Sequence, residues 1–342
     1  MYSLSIKDVA KYAGCSTSTV SRVLNNRDAV DPETRKKILE TIEKLHYKPN
    51  LVAQGLRVKK SNLLGLVVPE IAAHAFSEIV QYAMDAAYER GFNIITVNSH
   101  ENPDLEENYI GDLLRRNING IIFSRVSDES RIMPKILKKN IPIVIIDRTL
   151  ENENVANVVL DNYEAGVIAA EHLLGLGHRH IACITGSMKI ALCRDRLKGF
   201  KETLEKNDVK LRAVCIREAN FDFSSGLKAT RELLDDGYDF SAVWAINDLM
   251  AFGAMKALKL AGKRIPEDVS VLGMDDLAFG DMVLPSLSSV HYPFDELVEK
   301  AFDLITRQIE ENRVITEKVV IIPSLTVKES TGSAPGTNIK GS

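Results

Sequence analysis

Cysteine is scarce in this sequence and long apolar runs are missing from it. Four cysteines, Cys15, Cys183, Cys193 and Cys215, are spread over 342 residues. None forms a CxxC pair, and they are too few to staple a chain of this length, so a reducing compartment and four inert thiols are expected. No stretch reaches the roughly 18 uncharged apolar residues of a membrane helix. The N-terminal segment meets Lys7 and Asp8 before the apolar core of an export signal can form. The expectation is a cytoplasmic protein that neither crosses nor binds a membrane. With 45% hydrophobic and 26% charged residues, disorder and collagen-like repeats are excluded as well. At about 150 residues per domain the length suggests two domains with ample core.

The net charge of −4 hides an asymmetry. Residues 1–60 hold twelve basic side chains against six acidic ones, a surplus of +6 that leaves −10 for the remainder. A basic head on an acidic body suggests one module that meets a polyanion and one that does not.

The pattern inside the head supports this. Ser5 offers an N-cap with Asp8 three residues on, which predicts a helix carrying Ile6, Val9, Ala10 and Ala13 on one face. Gly14 ends it. Ser16 offers a second cap, and Thr17 to Leu24 forms a short helix with Val20, Val23 and Leu24 inward. Asp31-Pro32 starts a third helix, whose Ile38, Ile42 and Leu45 supply a floor. Two helices joined by a short Gly-containing turn make a helix-turn-helix. The outward Thr17, Ser18, Ser21 and Arg22 suit a recognition helix, since small donors reach base edges or phosphates and Arg pairs bidentately with guanine.

Ile6-Lys7-Asp8-Val9-Ala10, Ala13-Gly14, Ser16 and Thr19-Val20-Ser21-Arg22-Val23-Leu24-Asn25 together resemble the head of the LacI/GalR family of bacterial transcription regulators. Tyr47-Lys48-Pro49-Asn50, with Ala53 and Leu56, is similar to that family's hinge. The resemblance implies DNA contacts from Ser5, Thr17, Ser18, Thr19, Ser21, Arg22 and Asn25, and from Tyr47, Asn50, Ala53 and Leu56. It implies a hinge helix near 50–58 that orders on operator DNA in a dimer and wedges Leu56 into the minor groove, unstacking a base step. Gln54-Gly55 stands where the family often has Arg and a small residue, so hinge folding is expected to lean more heavily on DNA.

Beyond Ser61, β-rich apolar runs alternate with amphipathic helical stretches. Leu63–Val68, Asn93–Val97, Gly120–Phe123 and Ile143–Asp147 read as buried parallel strands, with helices near 76–90, 104–116 and 130–139. A second series places strands at His180–Thr185, Ala213–Ile216, Ala242–Ala245 and Val269–Met274, with helices near 162–174, 193–206, 224–236 and 247–261. The fold class is therefore α/β: a small all-α head followed by two doubly wound parallel-sheet lobes. Asn247-Asp248-Leu249-Met250, Arg264-Ile265-Pro266-Glu267-Asp268-Val269 and Gly273-Met274-Asp275-Asp276 extend the resemblance over this region, and it implies a body like periplasmic sugar-binding proteins, crossed three times, near 161, 291 and 323. The domains are expected at 1–48 for the DNA-binding head, 49–60 for the hinge and 61–329 for the effector-binding and dimerisation body. Within the body, an N-lobe takes about 61–161 plus 292–323 and a C-lobe about 162–290 plus 324–329. Residues 330–342 read as a disordered tail.

Ligands of such sheets sit at strand carboxyl ends, in the crevice between lobes. Asp147-Arg148, Asn247, Asp275-Asp276, Arg194 and Arg196 follow predicted strands, and Phe76, Phe221 and Phe223 offer rings to stack on a sugar face. Asp147, Arg148, Arg194, Phe221, Asn247, Asp275 and His291 are similar by local motif to the hydroxyl-binding shell of ribose-type binding proteins, which favours a pentose or hexose. Relatives often carry Asn-Pro-Phe-Phe after the first body strand. Ala73-His74-Ala75-Phe76 stands here, and the lost aromatic leaves room for a bulkier or phosphorylated ligand.

An enzyme finds no support, because the chain lacks a GxSxG elbow, a P-loop and a strand-first GxGxxG. Gly175-Leu176-Gly177 follows a helix and reads as a C-cap. His178 and His180 lack a third ligand for zinc. No catalytic residue, metal or cofactor is expected. The sequence reads as a homodimeric repressor of carbohydrate-utilisation genes on a pseudo-palindromic operator, controlled by a sugar or sugar phosphate. The alternative keeps the DNA-binding role and replaces the sugar by a phosphocarrier protein or a purine-type corepressor.

Overall fold

The computed structural model describes residues 4–24, 30–45, 47, 62–126, 136, 138–148 and 155–336. Residues 1–61 and 62–342 form separate compact units. In the first, α1 (Ile6–Ala13), α2 (Thr17–Leu24) and α3 (Pro32–Lys44) pack around Val9, Ala10, Ala13, Val20, Val23, Ile38 and Tyr47. Each start has its cap. The Asp8 carboxylate accepts from the Ser5 N–H at 2.8 Å and from the Ser5 hydroxyl at 2.6 Å. Ser16 Oγ accepts from the Thr19 N–H at 3.1 Å, and Asp31 accepts from the N–H groups of Glu33 and Thr34. These bonds satisfy donors that a helix start leaves open. Gly14, at φ +68°, turns the chain out of α1 through a left-handed conformation that a residue with a Cβ enters at a cost.

The second unit holds two six-stranded sheets. In the N-lobe, β1 (Leu63–Val68), α4 (His74–Glu89), β2 (Asn93–Asn98), α5 (Pro103–Arg115), β3 (Gly120–Phe123), β4 (Ile143–Ile146) and β5 (Ala156–Leu160) come first. The C-lobe follows with α6 (Asn162–Gly175), β6 (Ile181–Thr185), α7 (Ala191–Lys206), β7 (Ile216–Glu218), α8 (Phe223–Asp235), β8 (Ala242–Ala245), α9 (Asp248–Leu260), β9 (Ser270–Asp275) and β10 (Ser288–His291). The chain then returns through α10 (Phe294–Glu311) and β11 (Lys318–Ile321) to the N-lobe and ends in β12 (Ser324–Thr326) of the C-lobe. The sheet orders are β11-β5-β4-β3-β1-β2 and β12-β10-β9-β8-β6-β7. Every pairing is parallel except β10 with β12. The chain passes between lobes at Asp161, at Tyr292-Pro293 and at Ile322-Pro323. Helices on both faces bury the central strands completely, which explains their continuous apolar text.

Several details differ from the sequence reading. The strands β5, β10, β11 and β12 and the returning helix α10 lie outside the strand and helix series read from the sequence. The strand expected at Ala213–Ile216 begins only at Ile216, after a 3₁₀ turn over Ala213–Cys215. The tail expected from 330 is ordered to 336: the Ser330 hydroxyl donates to Val271 O at 2.6 Å, the His178 ring donates to Gly332 O at 3.0 Å, and Ala334 N donates to Leu176 O at 2.8 Å. Small polar residues read as disorder by composition, yet Ser330 and Thr331 are small enough to be buried while satisfying backbone groups of the C-lobe. The helix expected near 130–139 lies mostly outside the described residues.

Candidate functional site

On the head, Ser18 and Arg22 of α2 are exposed, and Thr17, Thr19 and Ser21 are half-buried. Ser16, Ser18 and Thr19 share hydroxyl hydrogen bonds of 2.6 and 2.8 Å, which orients the start of α2. Tyr47 packs its ring into the head core, 9% exposed, where the apolar floor of this small bundle needs a large side chain to close it. Asn25, Asn50, Ala53 and Leu56 lie outside the described residues. Ser5 is spent on the cap of α1.

In the body, the strand ends of the two lobes enclose a cavity of about 300 Å³. Phe76, Asp147, Arg148, Arg196, Phe221, Asn247 and Asp275 line it, as do Glu70, Ala72, Ala73, His74, Ala75, Glu101, Leu192, Asn220, Asp222, Leu249 and Tyr292. Close helix packing aims Arg196: a Cβ on Gly199 would lie 2.0 Å from Tyr163 O, so α6 and α7 touch backbone to backbone. Arg196 is then held by Asn162 Oδ1 at 2.9 Å and Ile246 O at 2.8 Å. Asn247 caps α9 by accepting from Met250 N at 2.9 Å and donates to Phe221 O at 2.9 Å. Arg148 makes a two-pronged pair with Glu101 at 2.9 and 3.0 Å, donates to the carbonyls of Arg125 and Val126, and lies over the Phe76 ring. Tyr292 donates to Asp147 Oδ1 at 3.1 Å and stacks on Phe294. Glu101, Asp147, Phe221 and Asp275, which line the cavity, have positive φ. Such strained backbone, gathered at one cleft, marks a site held by its surroundings for function.

Two expected contacts fall elsewhere. Arg194 is exposed and donates to Met188 O at 2.9 Å, because two residues along a helix nearly reverse the direction of a side chain; Arg196 is the inward one. His291 is 40% exposed and lies 3.3 Å from Asp276, while the next residue, Tyr292, faces the cleft, since neighbouring residues of an extended chain point to opposite sides. Phe223 is also outside the cleft, exposed at the start of α8. Missed altogether were Glu70, Glu101, Asn220, Asp222 and the short aliphatic wall. Asn220 and Asp222 flank Phe221 and were findable from that position. Glu101 pairs with an Arg 47 residues away, which no local pattern reveals.

Electrostatics of the cleft are dominated by carboxylates. Five of them, Glu70, Glu101, Asp147, Asp222 and Asp275, face two guanidiniums. Burial, with the nearby Asp248 carboxylate, pushes the Asp275 carboxyl well above the usual range, and Arg196 offsets this only in part. Burial and then Asp147 raise the Tyr292 phenol, so its hydroxyl stays a donor. For Arg148, burial opposes the charge, but the Glu101 pair outweighs it and keeps the guanidinium protonated. The N–H of Ala72, followed by Asn98, holds Glu70 below the ordinary carboxylate range. Among the described residues no group of three His, Cys, Asp or Glu side chains is arranged for a metal, and no helix is long and apolar enough to cross a membrane.

A three-helix head whose second helix turns Ser18 and Arg22 outward, followed by a two-lobed body that encloses a cleft lined by charged groups, defines a ligand-binding DNA-binding protein. Residues 5–50 match the family model of bacterial regulatory proteins of the lacI family, and residues 61–330 match that of periplasmic binding proteins and the sugar binding domain of the LacI family. The chain belongs to the LacI family: it is a DNA-binding transcriptional repressor and not an enzyme. It is similar to the ribose operon repressor of Halalkalibacterium halodurans, 35% identical over 328 residues that cover 95% of this chain and 96% of that protein. The repressor PurR of Yersinia enterocolitica is 31% identical over 96% of this chain and 97% of its own length. Among solved structures, the lac repressor dimer bound to operator and the anti-inducer ONPF superposes with a TM-score of 0.90 at 28% identity, covering 97% of this chain and all of that one. The complex of the regulator CelR with cellobiose gives 0.73 at 30% identity, covering 96% and 99%. Repressors of this family bind operator DNA and small-molecule effectors and act as dimers.

Proposed function

We propose that this repressor acts as a homodimer on a pseudo-palindromic operator of carbohydrate-utilisation genes, and that a neutral pentose or hexose in the cleft controls its grip. Thr17, Ser18 and Arg22 read each half-site and Leu56 wedges the centre; the basic surplus of the head supplies phosphate contacts. The observation that carries the effector assignment is the charge state of the cleft. Arg148 is paired with Glu101 and Arg196 faces Asp275, while Glu70, Asp147 and Asp222 line the cleft beyond those pairs. Among the described residues of the cleft, a phosphorylated ligand would meet two arginines that already face carboxylates, and five acids. A neutral polyol instead donates its hydroxyls to Asp147 and Asp275, accepts from Asn247 and the arginines, and lays its apolar face on Phe76 or Phe221.

The similarity to a ribose operon repressor and to a cellobiose-bound regulator supports this reading, since both names carry a sugar. Thermal-shift measurements against D-ribose, D-xylose, D-glucose, D-fructose, ribose 5-phosphate, glucose 6-phosphate and hypoxanthine test it. A neutral sugar should raise the melting temperature, and Asp275→Asn should abolish the rise. A response confined to the phosphates, to hypoxanthine or to a phosphocarrier protein would overturn it. Selection from random duplexes should return a pseudo-palindrome whose binding changes when that sugar is added.

A further inference from the structure

Beneath the cleft floor lies a second carboxylate that the effector reading does not use. Asp248, the first residue of α9, is completely buried and lines no part of the cavity. Its Oδ1 accepts from the Ser289 hydroxyl at 2.6 Å and its Oδ2 from the Leu277 N–H at 2.7 Å. Ser289 Oγ in turn accepts from the Asp276 N–H at 3.0 Å. Strand β9 is cut away to admit this group: a Cβ on Gly273 would lie 2.1 Å from Asp248 Oδ1, although the backbone there has no positive φ. The glycine is needed for the carboxylate's approach rather than for a turn. The backbone of Asp275 itself is left-handed at φ +111°.

We propose that Asp248 is the positioning residue for Asp275: its carboxylate fixes the strained end of β9 against the start of α9 through the Leu277 N–H and, through Ser289, ties it to β10, the strand that leads into a crossing between the lobes. The proposal rests on Asp275 being an effector contact and adds how that contact is held and where a shift in it goes. A ligand hydroxyl that pulls on Asp275 then moves β10 and with it the Tyr292-Pro293 passage.

The arrangement makes the pair sensitive to pH. Around Asp248 stand Asp275 and Asp276 from the end of β9, and Lys328 just after β12. Beyond them, His291 of β10 and Lys328 contact Asp276, while Arg196 of α7 and Asp147 after β4 face Asp275. Lys328 is already shared between Asp276 at 3.1 Å and Asp281 at 2.9 Å. Burial therefore wins, and the Asp248 carboxyl is pushed up to about 7. A carboxyl raised in the folded state contributes stability that is present below its unfolded value, about 4, and lost as pH rises through the folded one.

Urea unfolding of wild type, Asp248→Asn and Ser289→Ala from pH 5 to 8, followed by the single and buried Trp244, tests the proposal. Asp248→Asn keeps the shape and removes the proton, so the ratio of wild-type to variant folding constants should fall by about tenfold per pH unit up to neutrality and then level. Ser289→Ala removes a bond to the carboxylate and should move the break to higher pH; should the Asn variant not fold, this shift decides alone. Parallel profiles for all three overturn the proposal. A second arm separates it from the effector reading: a sugar among D-ribose, D-xylose, D-glucose and D-fructose that stabilises wild type should stabilise Asp248→Asn less. Equal stabilisation overturns the positioning role. Diverging pH profiles with no sugar response support the buried coupling and instead remove Asp275 from the effector site.

Discussion

The head and the body present their functional side chains in opposite ways. In the head, Ser18 and Arg22 are exposed, and the bundle stands on a small apolar core that includes Val9, Val20, Val23 and Ile38 behind them. In the body, Arg196, Asn247 and Asp275 are 4%, 8% and 6% exposed and sit inside the hydrogen-bond network of the strand ends. DNA presents itself as a large surface, so the head needs only an outward helix. A small ligand must be surrounded, so the residues that recognise it are also residues that hold the fold. Recognition and stability should therefore separate in the head and be entangled in the body.

The largest effect expected is for Arg196→Ala. It strands Asn162 Oδ1 and Ile246 O, and leaves Asp147 and Asp275 without the facing charge. Breaking a buried ionic arrangement in this way costs about 3–5 kcal/mol, readable as a lower urea midpoint by Trp244 fluorescence. A loss no greater than that of a surface substitution would mean that the cleft network is decoration. Next comes Ile38→Ala, fully buried in the head. Deleting it should cost about 2–5 kcal/mol, which a core this small cannot absorb. Circular dichroism should show loss of head helix while the Trp244 transition of the body stays in place, because the two units are compact separately. Arg22→Ala sharpens the contrast: operator affinity at fixed salt should fall about 10–100-fold, the worth of a bidentate base contact, with both unfolding transitions unchanged.

The same contrast decides what could be read from sequence. Caps and periodicity are local, so Ser5 with Asp8, Ser16, and Asp31-Pro32 marked α1, α2 and α3 within a residue or two. The buried parallel strands were legible as apolar runs, and β5 was lost because Ala156-Asn157 interrupts its run with a polar side chain. Cleft residues at strand ends were legible by position, as with Asp147, Asn247 and Asp275. What stayed hidden depends on rotation or on distant partners. Phase within a helix separates Arg196 from Arg194, phase along the chain separates Tyr292 from His291, and the Arg148–Glu101 pair and the Asp248–Ser289 bond join residues far apart in the chain.

The smallest expected effect is the most direct check on that phase argument. Arg194 and Arg196 lie on the same turn of α7 and carry the same charge. They differ in direction: Arg194 reaches the Met188 carbonyl at the surface, and Arg196 reaches across to Ile246. If recognition depends on placed donors, Arg194→Ala should leave both the urea midpoint and the sugar-induced thermal shift where they are in wild type. If instead the cleft works by its overall potential, removing either arginine should weaken the sugar response alike. Isothermal titration of the two alanine variants with the sugar that stabilises wild type separates these outcomes, and equal losses would return Arg194 to the site.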